Sequence, residues 1–322
     1  MNVLVTGAAG FIGRALVGAL AQRADVSRIL AFDQADAAIA HPKVENLSGN
    51  LAYAPMARSL VDARIDAIFH LASLVSGGAE QNYELGMKVN FEATRDLLEA
   101  ARLAGNAPRF VFTSSIAVYR ADDAQIAAHE RLHVTDDTRP APRLSYGAQK
   151  LMCEVLINDM TRRGYVDGRS LRLPTVMVRG GSANTALSGW TSALAREPLA
   201  GRDYVCPVRE ATGMACISVG RVVAALLHAF DLPTPALGLD RTVLLTGIPV
   251  SGAEMWAAVQ RQAAALAPAR RLGRVRFEPD PAIQPVMDAV AQSTFSARAA
   301  ALGFPHNASV DEIVAEYIAT LD

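Results

Sequence analysis

One stretch near the N-terminus decides the fold: Val3-Leu4-Val5-Thr6-Gly7-Ala8-Ala9-Gly10-Phe11-Ile12-Gly13. A short apolar run comes first, and three glycines follow with the spacing G-x-x-G-x-x-G. Apolar residues then recur with helical spacing from Ile12 to Leu20. This order predicts a strand, a tight turn and a helix. Backbone N–H groups in such a turn, together with the helix N-terminus, can approach a pyrophosphate. The stretch therefore predicts a dinucleotide-binding βα turn.

An acidic residue stands at the distance from this turn where a ribose contact is expected. Ile29–Phe32 predicts a second strand, and Asp33 follows it, 20 residues after Gly13. A carboxylate at this place can accept hydrogen bonds from the ribose hydroxyls. The next residues, Gln34-Ala35-Asp36, include no Arg or Lys for a 2′-phosphate. The expected cofactor is therefore NAD rather than NADP.

Predicted strands and helices alternate as far as about residue 174. Further strands are expected at Ala67–Leu71, Arg109–Thr113 and Arg169–Leu173, and long helices at Asn90–Ala104 and Tyr146–Arg163. Parallel neighbours in a sheet need crossover connections, which helices of this length supply. The alternation predicts an α/β fold, a Rossmann-type doubly wound parallel sheet with helices on both faces.

The pattern changes after Pro174. Residues 175–211 are rich in Gly, Ser, Ala and Pro and show no clean alternation. We expect residues 1–174 to form an NAD-binding Rossmann domain, with returns of the chain from about 212–248. Residues 175–322 are expected to form mainly a smaller C-terminal substrate-binding lobe.

Composition excludes several classes of protein. The 322 residues carry 31 Lys+Arg and 32 Asp+Glu, a net charge of -1, which argues against a nucleic-acid partner. Cys153, Cys206 and Cys216 are an odd number without metal spacing, so we expect neither a disulfide framework nor a metal site. No apolar run approaches the roughly 20 residues of a membrane span. A cytoplasmic protein with a small-molecule substrate is the expectation.

A possible catalytic pair lies on the predicted helix Tyr146–Arg163. Tyr146 and Lys150 are spaced i and i+4, so they are neighbours on one helix face. An ammonium beside a phenol favours the phenolate, which can act as a base. Ser114 and Ser115 end a predicted buried strand, at the sheet edge where α/β proteins bind ligands. Asn90 opens the helix before that strand, and the simplest interpretation of its side chain is a helix cap.

Together these motifs resemble those of the extended short-chain dehydrogenases/reductases, in the NAD-dependent epimerase/dehydratase family. The resemblance also covers His70-Leu71-Ala72 and Val118-Tyr119. It implies that Tyr146 is the catalytic acid/base, that Lys150 holds the nicotinamide ribose and that Ser115 binds the reacting oxygen, whereas His70 is structural. The residues implied to contact NAD are Gly7, Gly10, Phe11, Ile12, Gly13, Asp33, Asn50, Leu51, Leu71, Ala72, Ser73, Asn90, Tyr146, Lys150, Pro174 and Val176.

Within this family the chain resembles members that oxidise a small sugar acid such as D-erythronate at C2. The Asn-Val-Tyr-Gly-Pro-like segment of many nucleotide-sugar enzymes is missing after the strand that ends at Leu173. The chain departs from the sugar-acid members at Gly180 and Gly213. A carboxylate substrate needs a cation or several N–H donors. The implied substrate contacts are Ser76, Gly77, Ser115, Tyr146, Arg179 and Asn184.

Other functions remain compatible with the same motifs. One is a nucleotide-sugar epimerase or dehydratase, and another is a dehydrogenase of an amino alcohol such as threonine. A non-catalytic NAD(H)-binding regulator is disfavoured because Tyr146, Lys150 and Ser115 are all present. The resemblance also implies a homodimer formed through the helices Asn90–Ala104 and Tyr146–Arg163.

Overall fold

The computed structural model describes residues 1–128, 130–181 and 188–321. The strands are β1 (Asn2–Thr6), β2 (Arg28–Asp33), β3 (Val44–Ser48), β4 (Ala67–His70), β5 (Arg109–Ser115), β6 (Leu132–Val134), β7 (Asp167–Leu173), β8 (Thr175–Met177), β9 (Tyr204–Cys206), β10 (Gly213–Ser218), β11 (Thr242–Leu244), β12 (Ile248–Ser251), β13 (Val275–Phe277) and β14 (Ala291–Thr294).

The α-helices are α1 (Phe11–Ala21), α2 (Ala54–Leu60), α3 (Ser76–Gln81), α4 (Tyr83–Gly86), α5 (Ala93–Ala104), α6 (Asp123–Ala127), α7 (Ser145–Arg162), α8 (Gly189–Leu199), α9 (Val219–Asp231), α10 (Gly252–Leu266), α11 (Gln284–Asp288), α12 (Ala297–Ala301) and α13 (Val310–Ile318). A π-helical segment, Met87–Glu92, joins α4 to α5, and 3-10 turns occur at Ile116–Val118 and Thr234–Leu237. No helix within these ranges is long and apolar enough to cross a membrane.

The central sheet has the strand order β11-β7-β5-β4-β1-β2-β3. Parallel pairs join β1 to β2 and β4, β2 to β3, and β4 to β5. The strand order reverses between β1 and β4, which is the place where open α/β sheets bind ligands at the carboxyl ends of their strands. The predicted fold class, a Rossmann-type α/β fold with a parallel sheet, is confirmed.

The chain clusters into two compact units. The first contains Met1–Val118, Pro142–Arg172 and Val223–Val243, and the second contains the described parts of the remaining sequence. The first unit therefore includes most of residues 1–174 and a return of the chain at Val223–Val243. Tyr119–Ala141 cluster with the second unit, although the alternation placed them in the first, because β6 pairs with β14.

Two of the elements that the sequence pattern did not reveal were missed for opposite reasons. Strand β3 lies at the sheet edge, pairs with β2 and is largely exposed, so its sequence lacks an apolar run. Helix α8 is buried at nearly every position from Trp190 to Leu199, so it has no polar face to create an amphipathic repeat.

The second unit has its own core. Strand β10 pairs in parallel with β8 and antiparallel with β12. Helices α8 and α13 both pack against α10, and the core they enclose includes Leu194, Met214, Val259 and Ile313.

A buried arginine ties the returning segment into the first unit. Arg169 in β7 is 1% exposed, and its guanidinium donates to the carbonyls of Ala229 and Phe230 in the last turn of α9. Its second terminal nitrogen donates to Asp167 Oδ2 at 2.6 Å. A cation at a helix C-terminus is favourable because the helix dipole is negative there.

All three cysteines are free thiols in buried positions. Burial raises the pKa of the Cys153 thiol to about 11 and that of Cys206 to about 12. These side chains are therefore protonated near neutral pH and behave as small apolar groups.

Candidate active site

The glycine turn is packed so closely that no side chain fits at Gly7 or Gly13. Gly7 has φ +76°, and a Cβ there would lie 2.7 Å from the backbone nitrogen of Ala72 after β4. A Cβ on Gly13 would lie 2.0 Å from the Gly7 carbonyl oxygen. Gly10 precedes α1 without a side-chain cap, and its N–H donates to the Gly7 carbonyl at 3.1 Å. This bare backbone cradle at a helix N-terminus fits the pyrophosphate of a dinucleotide.

Asp33 is held against this turn. Its Oδ2 accepts a hydrogen bond from the Ala9 N–H at 2.9 Å, and its Oδ1 accepts one from the Gln34 N–H at 2.6 Å. The carboxylate therefore has a fixed orientation at the carboxyl end of β2, next to the predicted pyrophosphate site. That is the position at which an acidic residue can bind the ribose hydroxyls of NAD.

A basic residue that the sequence reasoning missed contacts the same turn as Asp33. Arg14, in the first turn of α1, donates from Nε to the Ala9 carbonyl at 3.0 Å and from Nη1 to the Ala37 carbonyl. This guanidinium comes from α1, whereas the residues directly after Asp33 include no Arg or Lys. The expected preference for NAD thus depends on the carboxylate of Asp33 and not on the absence of a nearby cation.

The segment after β4 lies directly against β1. The Leu71 N–H donates to the Thr6 carbonyl at 3.1 Å, and the Ala72 N–H approaches Thr6 Oγ1 at 3.4 Å. Both residues were predicted to contact the cofactor, and both lie beside the Gly7 backbone.

The other predicted contacts on this side are spread over two elements. Phe11 and Ile12 are the first residues of α1 and are half-buried. Asn50 follows β3, and its Oδ1 accepts a hydrogen bond from the Ala52 N–H at 2.9 Å. Leu51 is buried in the core of the first unit.

Lys150 lies beneath Tyr146 on the buried face of α7. It is 1% exposed, and its Nζ donates to the Thr113 carbonyl at 2.8 Å. The same ammonium lies 5.6 Å from the centroid of the Tyr146 ring and 4.5 Å from that of Phe112. Desolvation lowers the pKa of Lys150 to about 8. A poorly solvated ammonium at this place can stabilise negative charge on the phenol oxygen.

Close backbone packing joins the start of α7 to the end of β5. A Cβ on Gly147 would lie 2.1 Å from the Ala117 carbonyl oxygen, so only glycine permits this approach. Ser115 is the last residue of β5, and its Oγ accepts a hydrogen bond from the Ala117 N–H at 3.1 Å. Tyr146 and Ser115 are thus carried by two segments that pack against the same short turn.

A buried ion pair supports these segments from below. Glu154 accepts from Arg172 Nη2 at 2.6 Å and Nε at 3.0 Å, and from Ser114 Oγ at 2.5 Å. The sequence reasoning missed this group. Two signals pointed to it: Glu154 is four residues after Lys150, and Arg172 interrupts an apolar strand.

Asn90 does not cap a helix, so the simplest interpretation of this residue is wrong. It lies inside the π-helical segment and is 1% exposed. Its Nδ2 donates to the Leu74 carbonyl at 3.0 Å, and its Oδ1 accepts from the Leu74 N–H at 2.7 Å and from Ser73 Oγ at 3.0 Å. Helical residues precede Asn90, so its side chain is not at the start of a helix. The amide instead binds the segment that follows β4.

His70 is fully buried at the end of β4. Its Nδ1 lies 2.6 Å from Thr6 Oγ1, and its Nε2 lies 2.9 Å from Thr94 Oγ1. Burial, with a smaller effect of the nearby Lys150 charge, lowers the pKa of His70 to about 3. The ring is therefore neutral at physiological pH, in keeping with the structural role expected for it.

The predicted substrate residues lie in both compact units. Ser76 and Gly77 begin α3 in the first unit. Arg179 follows β8 in the second unit, where its N–H donates to Ser192 Oγ and its carbonyl accepts from Arg196 Nη1, each at 3.0 Å. The predicted cofactor residues Pro174 and Val176 also belong to the second unit, whereas Asn184 lies outside the described residues.

Comparison with known proteins decides the family. Residues 3–232 match the NAD dependent epimerase/dehydratase family. The chain belongs to this family. The family predicted from the motifs is therefore confirmed, and with it NAD as the cofactor.

Two curated members of the family match over almost the whole chain. The D-erythronate dehydrogenase of Cupriavidus necator is 39% identical over 99% of this chain and 98% of its own length. The D-erythronate dehydrogenase of Haemophilus influenzae is 35% identical over 99% of both chains.

Solved structures show the same architecture. A nucleoside-diphosphate-sugar epimerase from Agrobacterium tumefaciens superposes with a TM-score of 0.88 at 34% identity, covering 100% of this chain and 94% of that one. An L-threonine dehydrogenase from Cupriavidus necator gives a TM-score of 0.87 over 100% of both chains. Its identity is 21%, so this second likeness concerns the fold alone.

Proposed function

We propose that this protein is an NAD-dependent dehydrogenase that oxidises a small sugar acid, such as D-erythronate at C2, to the 2-keto acid. The observation that carries the proposal is the buried ammonium of Lys150 beside the Tyr146 ring, in the same compact unit as the glycine cradle. The named activity of two relatives that match 99% of the chain supports the choice of substrate.

The chemistry follows from the side chains of the first unit. NAD, when bound, supplies the hydride acceptor. Tyr146, as a phenolate, takes the proton of the substrate hydroxyl. Lys150 stabilises the negative charge of that phenolate before the transfer and binds the nicotinamide ribose. Ser115 donates a hydrogen bond to the substrate oxygen as it becomes a carbonyl.

The acid group of the substrate needs its own contacts. We propose Arg179 as the cation that binds the carboxylate, with Asn184 and the Ser76-Gly77 segment as further polar contacts. The two residues after Arg179 are glycines, Gly180 and Gly181. Because they have no side chains, they leave the backbone beside Arg179 open, and this favours a small ligand over a nucleotide sugar.

One specific observation favours a second candidate, a nucleotide-sugar epimerase. The Agrobacterium tumefaciens structure with a TM-score of 0.88 is named as a nucleoside-diphosphate-sugar epimerase. An epimerase returns its hydride to the sugar, so its NAD is regenerated in each turnover, whereas a dehydrogenase releases one NADH per product. The stoichiometry of NADH therefore separates the two candidates.

The test is NADH absorbance measured with a panel of C4–C6 sugar acids, their neutral lactones, threonine and UDP-sugars. We expect stoichiometric NADH from a four-carbon sugar acid and none from UDP-sugars. Epimerised UDP-sugar without net NADH would replace the proposal by the second candidate. NADH from threonine alone would keep the reaction and change the substrate class.

The assembly and location are also proposals. The residues Leu103, Met152 and Val155 of α5 and α7 are exposed apolar groups, whereas Leu97 and Leu98 are buried in the unit's own core. We propose that the exposed group lies in the interface of a homodimer. A reducing cytoplasm suits a chain whose cysteines are all free.

A further inference from the structure

Gln149 is a buried polar side chain to which the proposed chemistry gives no role. It immediately precedes Lys150 on α7 and is 1% exposed. Its Oε1 accepts a hydrogen bond from Asn90 Nδ2 at 2.7 Å. Its Nε2 has no hydrogen-bond partner among the described residues. A buried amide that satisfies only one of its two ends calls for a functional explanation.

The backbone of Leu74 fixes the orientation of both amides. The Leu74 N–H must face the oxygen of Asn90, and the Leu74 carbonyl must face its nitrogen. The second hydrogen of Asn90 Nδ2 then points to Gln149, so the Gln149 oxygen must lie on that side. With its oxygen facing Asn90, the amide of Gln149 must turn its nitrogen to the side where no partner lies among the described residues. The residue therefore acts here as an acceptor for Asn90.

The Asn90 amide in turn holds a segment that borders the dinucleotide turn. Asn90 binds both backbone groups of Leu74 and the hydroxyl of Ser73. Ala72 precedes this pair, and its backbone nitrogen is the atom that a Cβ on Gly7 would meet at 2.7 Å. A shift of the segment after β4 would therefore change the backbone against which Gly7 packs.

We propose that Gln149 is a positioning residue for the NAD cradle, acting through Asn90 and the Ala72–Leu74 backbone. The inference relies on NAD as the cofactor of the proposed function. It makes cofactor affinity depend on a side chain of the catalytic helix that does not itself belong to the glycine turn.

Gly86 offers an independent way to disturb the same amide. A Cβ on Gly86 would lie 2.8 Å from Gln149 Nε2 and 3.2 Å from its Oε1. Gly86→Ala therefore pushes the Gln149 amide away while both hydrogen-bonding partners stay in the chain. Gly18, an exposed glycine in the middle of α1, is a matched control, because a Cβ there meets nothing within 4 Å.

The experiment measures NADH affinity by fluorescence titration of the intact protein, without substrate. Gln149→Met keeps the side-chain length and removes the acceptor. We expect about 10-fold weaker NADH binding, the scale of one lost buried hydrogen bond. Gly86→Ala should weaken binding in the same direction, and Gly18→Ala should bind as the parent does. In turnover, Gln149→Met should raise the KM for NAD with little change in the KM for the acid.

Two outcomes would overturn the proposal. One is a folded Gln149→Met protein with the NADH affinity of the parent, with folding checked by circular dichroism. The other is a Gly86→Ala protein that behaves as Gly18→Ala does, which also decides the matter if Gln149→Met does not fold. A parent protein that binds no NADH contradicts the proposed function itself, so the two failures are distinguishable.

Discussion

Thr94 determines which nitrogen of the His70 ring carries the proton. The Thr94 hydroxyl donates to the Asn90 carbonyl at 2.8 Å, so only its lone pairs remain for His70 Nε2 at 2.9 Å. Nε2 must therefore carry the hydrogen, and Nδ1 must accept from the Thr6 hydroxyl at 2.6 Å. A directed chain of hydrogen bonds thus runs from the residue before Gly7 to the backbone of Asn90.

These hydrogen bonds predict that the free energy of unfolding depends on pH. The folded protein keeps His70 neutral down to a pKa of about 3, whereas the unfolded imidazole binds a proton below its ordinary value of 6.5. Stability from this group is present above pH 6.5 and is lost as pH falls, by about 1.4 kcal/mol per pH unit. The difference in unfolding free energy between the parent and His70→Gln should therefore shrink by about 2 kcal/mol from pH 6.5 to pH 5. Urea unfolding at several pH values measures it.

His306 is an exposed histidine, and His306→Gln is the matched control. Its unfolding free energy should depend on pH as that of the parent does. Nitrogen-15 NMR gives a second readout, because it distinguishes the two neutral tautomers. An Nδ1–H tautomer, or a His70 ring that titrates near pH 6, would contradict the hydrogen-bond chain.

Removing the hydroxyl of Tyr146 should stop turnover. Tyr146→Phe deletes the proposed base and leaves the glycine turn unchanged, so we expect kcat to fall roughly 10²–10⁴-fold. NADH affinity, measured by fluorescence, should stay close to that of the parent. Activity within a few-fold of the parent would remove Tyr146 from the mechanism.

Asp33 should set the preference for NAD. Its carboxylate can accept the ribose hydroxyls and repels a 2′-phosphate. Asp33→Ser removes that repulsion while Arg14 remains beside the Ala9 and Ala37 carbonyls, so the KM for NADP should fall and the preference should narrow. Kinetics with both cofactors measure the change. Asp36→Ala, which removes a nearby carboxylate, is the control, and equal use of both cofactors by the parent would contradict the prediction.

Arg179 should matter more for acids than for neutral substrates. A charge-assisted hydrogen bond contributes roughly 1.5–3 kcal/mol, so Arg179→Ala should raise the KM for a sugar acid about 10- to 100-fold. The KM for the corresponding lactone or polyol should change much less. Arg276→Ala, at a largely exposed arginine of the second unit, serves as the control. Equal losses with both substrates would make Arg179 structural.

The exposed apolar residues of α5 and α7 should control assembly. Val155 is 65% exposed, and a charge there would be buried without a partner in the proposed interface. Val155→Arg should convert a dimer into a monomer, as measured by light scattering at micromolar concentration. Leu239→Arg changes a residue that is 92% exposed and should leave the mass unchanged. A monomeric parent would reject the homodimer.

Local spacing explains what the sequence could predict. Gly7 and Gly13 are only six residues apart across the turn into α1, and Tyr146 and Lys150 lie one helical turn apart, so the proximity within each pair follows from local geometry. Asp33 was found in the same way, because a parallel neighbour places the end of β2 beside the turn after β1.

The missed residues depend on contacts between distant parts of the chain. Gln149 meets Asn90 across 59 residues, and no helical repeat distinguishes such a buried amide from an exposed one. The error at Asn90 has the same origin: polar residues are favoured at helix starts, and only the tertiary partner Leu74 shows that this one lies inside. Glu154 and Arg172 can be noticed in the sequence as charged residues within elements predicted to be buried. The sequence alone does not show that these two residues pair with each other.

The buried guanidinium of Arg169 affects how the chain folds during synthesis on the ribosome. Its carbonyl partners, Ala229 and Phe230, are synthesised about 60 residues later. Until that segment leaves the exit tunnel, a strand near the sheet edge carries a charge without its final partners, which opposes burial. We therefore expect the first unit to complete its folding only after this segment has been synthesised. Fragments truncated between residues 174 and 230 should be substrates for chaperones and proteases instead of stable domains.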